Sequence, residues 1–388
     1  MKSIKIISMA TLLVTLVLFC GCQSATLIDT ETMPSWKSPR GGFYNNSGTM
    51  LAPKQPLKVV WETEIPNQTH CNPVAAGGMV VLSDDKGVVY CIDGENGNHV
   101  WEKQFYVGQI SPVISKGRVL FGDQSGFFYS LNLADGRQVW SKTLSSPVVG
   151  WPTIDGDRVW VVTRDDLYCL EEAQGTEIFK KSYGVQLTQT PSLQRYINLV
   201  ASDTIIAVVP EDGKEVWRKK LEYPIIGPAV CVRDELLVTS GKLLKINALN
   251  GEIVESYEFD TGSKDKKYKV DIVSPPSVYV SMVAIGLSNN MVVVVRQIDL
   301  KPVWGFGTNK PVTSSAIITK ESAFLAADDG KLYVIDVKNG NWQWHNNFKS
   351  PVVGAAILDT YLFALSESGI LRRMDQGGEP LTQEEMNK

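Results

Sequence analysis

Apolar and polar positions alternate along this chain in short runs, each closed by Gly, Asn or Asp. The stretch from Asn72 shows the pattern: NPVAAGG, MVVLSDD and GVVYCID follow one another, and the turn GENGN then leads into HVWEKQF. A period of two places every second side chain on one face of a sheet, and β-branched and aromatic residues suit that half-buried surface. Gly, Asn and Asp supply the positive φ values that tight hairpins need. Each unit is therefore predicted to be four short antiparallel strands. The next unit repeats the layout as SPVISKG, RVLFGDQ, GFFYSLN and ADGRQVWSKTL. Beyond the first apolar run of the chain, no stretch carries the 3.6-residue period of an amphipathic helix.

One phrase recurs through these units: a Gly-containing turn, two or three residues, then an aromatic. It ends at Trp101, Trp140, Phe179, Trp217 and Trp344; LNGEIVE keeps the turn but ends at Glu255, and DLKPVW keeps Trp304 but lacks the glycine. Trp61 opens the series, and the successive intervals are 40, 39, 39, 38, 38, 49 and 40 residues. A period near 40 is that of one four-stranded propeller blade. The aromatics lie on the predicted outer strands, where they can pack between blades, each burial contributing about 1.5–3 kcal/mol. SPVVG at 146–150 and 350–354, and PIIG at 224–227, mark the approach to three innermost strands. Seven complete units run to about residue 347, and the chain then supplies three more strands and no fourth. The missing strand is PLKVVWETEI around Trp61. The expected fold is an all-β, eight-bladed propeller over 56–376, its ring closed by a strand at about 57–64 joining the last blade, which removes two open edges. A seven-bladed ring with a stray first strand is the alternative.

Composition narrows the function. Hydrophobic residues make up 44%, enough for a normal core, and a net charge of −4 lacks the basic face of a nucleic-acid binder. Histidines occur only at 70, 99 and 345, and no His, Cys and carboxylate cluster has metal-ligand spacing. No Ser-His-Asp arrangement, P-loop or GxGxxG before a helix is present, so no catalytic residue, metal or cofactor is assigned. Cys71, Cys91, Cys169 and Cys231 are scattered through strand-like runs without a CxxC pair, and read as free, buried thiols. Residues 1–21 read as an export signal: Lys2 and Lys5 precede the apolar run 6–19, too short for the ~20 residues of a spanning helix. Gly21 before Cys22 resembles a bacterial lipobox, although Phe19 stands where that pattern usually has Leu. The resemblance implies acyl chains on Cys22; an ordinary cleaved signal is the alternative. Pro34, Pro39, Pro53, Pro56 and Gly41-Gly42 make 22–55 read as a lipidated linker, and 377–388 as a polar tail. Gln23 after the cysteine implies, under the sorting rule of such lipoproteins, the outer membrane, facing the periplasm, in a cell that has one.

The repeat phrase xPVxxxGxVxxxxxxGxxYxLDxxxGxxxW resembles the pyrroloquinoline-quinone (PQQ)-like repeat family over roughly 56–376. A repeat ring behind a lipobox is similar to the BamB lipoproteins of the outer-membrane β-barrel assembly machinery, and WKSPRGGFYNNSG (36–48) is similar to the leader of exported BamB-like proteins. The resemblance implies a membrane-anchored, non-catalytic scaffold that binds an envelope protein through loops on one face; nothing in the sequence calls for an oligomer, so a monomeric ring is expected. PQQ-dependent alcohol dehydrogenases share the ring, but their chemistry implies an adjacent Cys-Cys pair that this sequence lacks. A small-ligand enzyme and a glycan-binding protein are the competing readings.

The widest interval carries an insertion, DTGSKDKKYKVDIVSPP at 260–276, between an outer strand and the next inner strand. Lys264, Lys266, Lys267 and Lys269 surround Tyr268, with Asp271 nearby, and a basic loop with one aromatic can grip an acidic partner or lipid head groups. These six residues are the candidate partner-binding loop. The resemblance implies an acidic docking loop on this kind of connection; Asp271 in KVDIVSPP approximates it, with the spacing to the proline off by one. The linking segments 66–72, 105–111 and 183–190 should share that face, and their Asn, Gln and Tyr suit a peptide or a sugar.

Overall fold

The computed structural model describes residues 28–31, 35–42, 44–50, 53–106, 108–259 and 270–378. They form eight four-stranded antiparallel sheets arranged as an eight-bladed propeller. Blade 1 comprises Val74–Ala76, Met79–Ser83, Val88–Asp93 and His99–Gln104, called strands a to d from the axis outward. Blades 2 to 7 follow over 113–143, 153–182, 192–220, 230–257, 277–307 and 317–347. In blade 8, Leu57–Glu64 is strand d; it pairs antiparallel with Ile370–Gln376, from Leu57 opposite Gln376 to Glu64 opposite Ile370. Head and tail therefore close the ring as the strand count requires.

Among the described residues the hydrophobic clusters, in place of a single core, lie between neighbouring blades, as in blades 1 and 2 or blades 5 and 6. The repeat aromatic is the latch of each such interface. Trp101 donates its indole N–H to Leu133 O of the next blade at 2.7 Å, Trp140 to Glu172 O at 3.0 Å, Trp217 to Ala248 O at 2.9 Å and Trp304 to Val337 O at 2.8 Å. Trp61 reaches Gly94 O in the same way, at 3.3 Å. The ring lies on the glycine of the neighbouring c–d turn. A Cβ on Gly136 would stand 2.7 Å from Trp101, and one on Gly175 2.5 Å from Trp140, so this glycine serves both a positive φ and a close approach. Phe179 has no N–H, and Tyr183 supplies one hydrogen bond in its stead, from its hydroxyl to Gly213 O at 2.8 Å. Trp344 is buried against blade 8 in the cluster that holds Leu57 and Met374.

The two irregular units of the sequence meet in one interface. Blade 5 lacks the aromatic at Glu255, and the turn it faces in blade 6 lacks the glycine. Leu300 occupies that glycine's place, at φ 54°, fully buried, with the same turn hydrogen bond to Arg296 O. Lys245, the cross-strand partner of Glu255, is buried and donates to Ile298 O of the same turn at 2.6 Å. Leucine volume and a lysine donor thus replace indole and glycine. Leu300→Gly is expected to lower stability by about 2–4 kcal/mol, the usual cost of a buried Leu truncation. Adding Glu255→Trp and Lys245→Ser should recover most of it in denaturant melts. A triple variant no more stable than Leu300→Gly alone would refute the exchange.

Every strand d carries a one-residue bulge immediately before the latch position, between Val59 and Trp61, His99 and Trp101, Gln138 and Trp140, and so on round the ring. The bulged residues are Val60, Val100, Val139, Ile178, Val216, Val254 and Val303, all exposed, and Gln343.

The expectation of a plain linker over 22–55 needs correction over 28–31, 36–42 and 44–49, which are bonded to the ring. Residues 36–42 and 44–49 run through the axial bore and are hydrogen-bonded to the ring. Trp36 pairs with Ala75 of blade 1 in both directions at 2.8 Å, and Lys37 O accepts from Ile114 N of blade 2. Tyr44 O, Asn46 O and Ser47 O accept from Cys231 N, Val278 N and Ile318 N of blades 5, 6 and 7. The Asn45 side chain covers the approaches to blades 3 and 4, accepting from Trp151 Nε1 at 3.3 Å and donating to Pro191 O at 3.2 Å. The innermost strands would otherwise leave unpaired edges facing the axis, and the segment supplies their partners. Trp36 and Arg40 are buried there, Arg40 donating to Ser47 Oγ at 3.0 Å and to Pro276 O. Burial pushes the Arg40 guanidinium down to about 9. Cys22 and residues 379–388 lie outside the described residues.

Candidate interaction face

Two faces of the ring differ in kind. The a–b and c–d turns form the turn face. The b–c turns and the segments joining one blade's strand d to the next blade's strand a form the connecting face. On the latter, the acidic residues that the sequence concentrates in turns are largely structural. Asp84 Oδ1 accepts from Lys86 N and Val88 N, and its Oδ2 from the Tyr90 hydroxyl at 2.9 Å. Asp123 serves Ser125, Phe127 and Tyr129 likewise, and Asp329 serves Lys331 N and Tyr333. The Asp–Tyr pair, six residues apart in blades 1 and 2 and four apart in blade 7, is thus a turn lock. Burial, reinforced by the aspartate, pushes the Tyr129 hydroxyl up to about 12 and the Tyr90 and Tyr333 hydroxyls higher still.

Near the axis a depression of about 600 Å³ opens between blades 7, 8 and 1, lined by His70, Asn72, Thr313, Asp328 and Glu367 among others. His70 Nδ1 lies 2.9 Å from Asp85 and its Nε2 3.7 Å from Glu367, tying the b–c turns of blades 1 and 8 together across the closure seam. Burial raises the Asp328 carboxyl above its ordinary range, with Asp329 and Glu367 adding to the effect, while Thr313 and Lys310 oppose it. Among the described residues no group of His, Cys, Asp and Glu could hold a metal ion. The four described cysteines are free and buried. Burial pushes Cys71 and Cys169 up to about 11 and Cys231 up to about 12, so none is an activated nucleophile.

Of the candidate loop, Lys264, Lys266, Lys267, Tyr268 and Lys269 lie outside the described residues. Asp271 is at its edge: its N–H donates to Ser288 Oγ at 3.0 Å and its carbonyl accepts from Ser288 N at 2.8 Å. Phe259, just before the insertion, and Val270 within it are buried in the blade 5–blade 6 cluster. They border a groove of about 360 Å³ whose walls include Tyr257, Met291, Val293 and Trp304. The insertion thus springs from the one interface whose latch is exchanged.

A second feature joins the linking segment 105–111, expected on this face, to strand residues of blade 2 that the sequence pattern does not connect with it. Phe105, Phe121, Tyr129 and Phe127 form an aromatic cluster at the connecting face of blade 2, with Phe105 4.8 Å from both Phe121 and Tyr129 and Phe127 stacked 6.1 Å from Tyr129. Tyr106 beside it is 60% exposed. Large, rigid, amphipathic side chains at a rim are the usual anchors of a protein interface. The signal was the run GFFYSLN, which alternation alone reads as one more strand.

Comparison with known proteins fits this geometry. The solved structure of BamB from Moraxella catarrhalis superposes with a TM-score of 0.65 at 17% identity, covering 82% of this chain and all of that one. Quinohemoprotein alcohol dehydrogenase from Comamonas testosteroni gives 0.74 at 12% identity, covering 90% and 82%. Such likeness shows the ring and nothing finer. In sequence, the outer membrane protein assembly factor BamB of Nitrosomonas eutropha is 21% identical over 152 residues, 38% of this chain. The match spans only 35% of that relative's length. The family profile described as outer membrane protein assembly factor BamB matches 54–150, 85–187 and 149–346, well over half of the sequence. With four-stranded repeats, eight blades and this profile in agreement, the chain belongs to the BamB family of PQQ-like-repeat β-propellers.

Proposed function

We propose that this chain is a non-catalytic scaffold of the cell envelope, acylated at Cys22, that holds a protein partner on its connecting face during assembly of outer-membrane β-barrels. The observation that carries the reading is the filled bore. Residues 36–42 and 44–49 occupy the axis and tie the inner strands of successive blades together, so the ring is braced as a rigid platform and its outward-facing loops are left for binding. The exposed aromatics Tyr106 and Phe127 and the groove beside Phe259 and Val270 offer apolar anchors within a polar surround. Family membership supports the choice of partner class.

Cross-linking in intact cells from Tyr106, followed by pull-down, is expected to recover a β-barrel envelope protein, and Tyr106→Ser with Phe127→Ser to weaken the capture several-fold. Recovery of no specific partner counts against the scaffold. Addition of PQQ with calcium is expected to leave the melting temperature unchanged; a clear upward shift would favour the quinone-enzyme reading instead.

A further inference from the structure

We infer that the turn face lies against the membrane surface, with Met50, Val280 and Ile298 seated in its interfacial layer. The inference rests on the reading of Cys22 as the acylated residue.

The first support is where the chain meets the ring. A Cβ on Gly77, in the a–b turn of blade 1, would stand 2.5 Å from the Ile28 side chain. Thr30 Oγ1 accepts from Gly117 N at 3.0 Å and Glu31 Oε1 from Lys116 N at 3.1 Å, both in the a–b turn of blade 2. Residues 28–31 are thus held on the turn face. Cys22 precedes Ile28 by six positions, a reach of at most about 20 Å at full extension. A linker continuing to residue 55 would reach beyond about 100 Å. The built-in segment therefore keeps this face close to whatever holds Cys22, with the connecting face turned away.

The second support is independent of the anchor. Met50, Ile298 and Val280 are the most exposed large hydrophobic residues among those described, at 83%, 75% and 72%. All three lie on the turn face. Val280 is in the a–b turn of blade 6 and Ile298 in the c–d turn of the same blade, the two turns being joined by Gln297 N to Ser281 O at 2.7 Å. Gly48 pairs in parallel with Ile318 at the end of strand a of blade 7, and Thr49 N donates to Ile318 O, so the chain leaves the bore on the turn face and Met50 emerges there. Gly48 also abuts Tyr279, next to Val280. Val280 adopts φ 53°, a region that β-branched residues avoid. The matching turn positions of blades 1, 2, 3, 5 and 8 hold Gly77, Lys116, Gly156, Arg233 and Asp359. A strained, exposed valine among polar and glycine counterparts gains nothing within the fold. Placed at a bilayer surface, this apolar trio is buried among head groups and acyl ends, and it fixes the tilt of a ring that the lipid alone would leave free to pivot.

The test uses the full acylated chain in phosphatidylethanolamine and phosphatidylglycerol vesicles. Mass analysis of the peptide bearing Cys22 comes first: absence of acyl chains defeats the anchor reading itself. With acylation established, a fluorophore is attached at Ile298→Cys, or at Tyr106→Cys on the opposite face; the native described thiols are buried. Bilayer-borne nitroxide is expected to quench the Ile298 probe several-fold more than the Tyr106 probe. Replacing Met50 and Val280 with Ser should reduce that difference without lowering the melting temperature. Equal quenching at both positions, or stronger quenching at Tyr106, overturns the inference while leaving acylation standing.

Discussion

Trp140→Ala is expected to lower stability by about 3–5 kcal/mol, with a further contribution from the carbonyl it orphans. Trp140 is almost fully buried between blades 2 and 3, packs against Phe128 at 5.7 Å and supplies the hydrogen bond to Glu172 O. Truncation leaves a void over Gly175 and removes the latch from one link of a closed ring. Trp140→Phe should lose only the hydrogen bond, about 1 kcal/mol, because blade 3 already uses Phe179 in that place. Denaturant midpoints for the pair separate the two contributions. Equal losses in both variants would mean that the hydrogen bond, not the packing, holds the interface.

The second large effect is expected at the closure seam. Arg373 of blade 8 is buried and donates to Gly94 O at 3.1 Å and Glu95 O at 2.9 Å in the c–d turn of blade 1, while its other arm forks onto Asp375. Burial alone would lower the guanidinium pKa, but Asp375 and Glu95 outweigh it and the net displacement is upward. The guanidinium also stacks 3.8 Å from the Tyr361 ring centre. Arg373→Met is expected to cost about 3–5 kcal/mol, the range for breaking a buried ion pair by removing one partner. Arg373→Lys should recover little, since an ammonium cannot fork or stack. Limited proteolysis should then find 57–64 the first segment released. Unchanged protection of that segment would show that backbone pairing alone secures the ring.

The sequence revealed the ring because its repeat is strict and each unit is locally complete. Turn, strand and latch lie within about 40 residues of one another. Closure was legible as a strand missing at one end and present at the other. The axial segment was not, because each of its residues serves a different blade. Such a path has no period, and Pro39, Gly41 and Gly42 give it the look of a linker. Trp36 and Arg40, an indole and a guanidinium inside an otherwise linker-like stretch, were its physical clue, beside the likeness of 36–48 to a family leader. The candidate site was legible only as an insertion of unusual length. Its groove joins Tyr257, Met291 and Trp304, which no local pattern brings together. The exchanged latch was visible as two separate irregularities, at Glu255 and Leu300. That they compensate each other is a fact of contact, not of spacing.

The bulges of the outer strands bear on how such molecules meet. A disc with eight sheet margins offers eight places where another disc could be stitched on through its backbone amides. At the same height on every margin, one extra residue throws donors and acceptors out of step. An incoming strand can match the stretch above that step or the stretch below it, but not both. At high local concentration, neighbouring discs therefore gain little by joining rim to rim, and extended ribbons are disfavoured without a single charged residue being needed at the step.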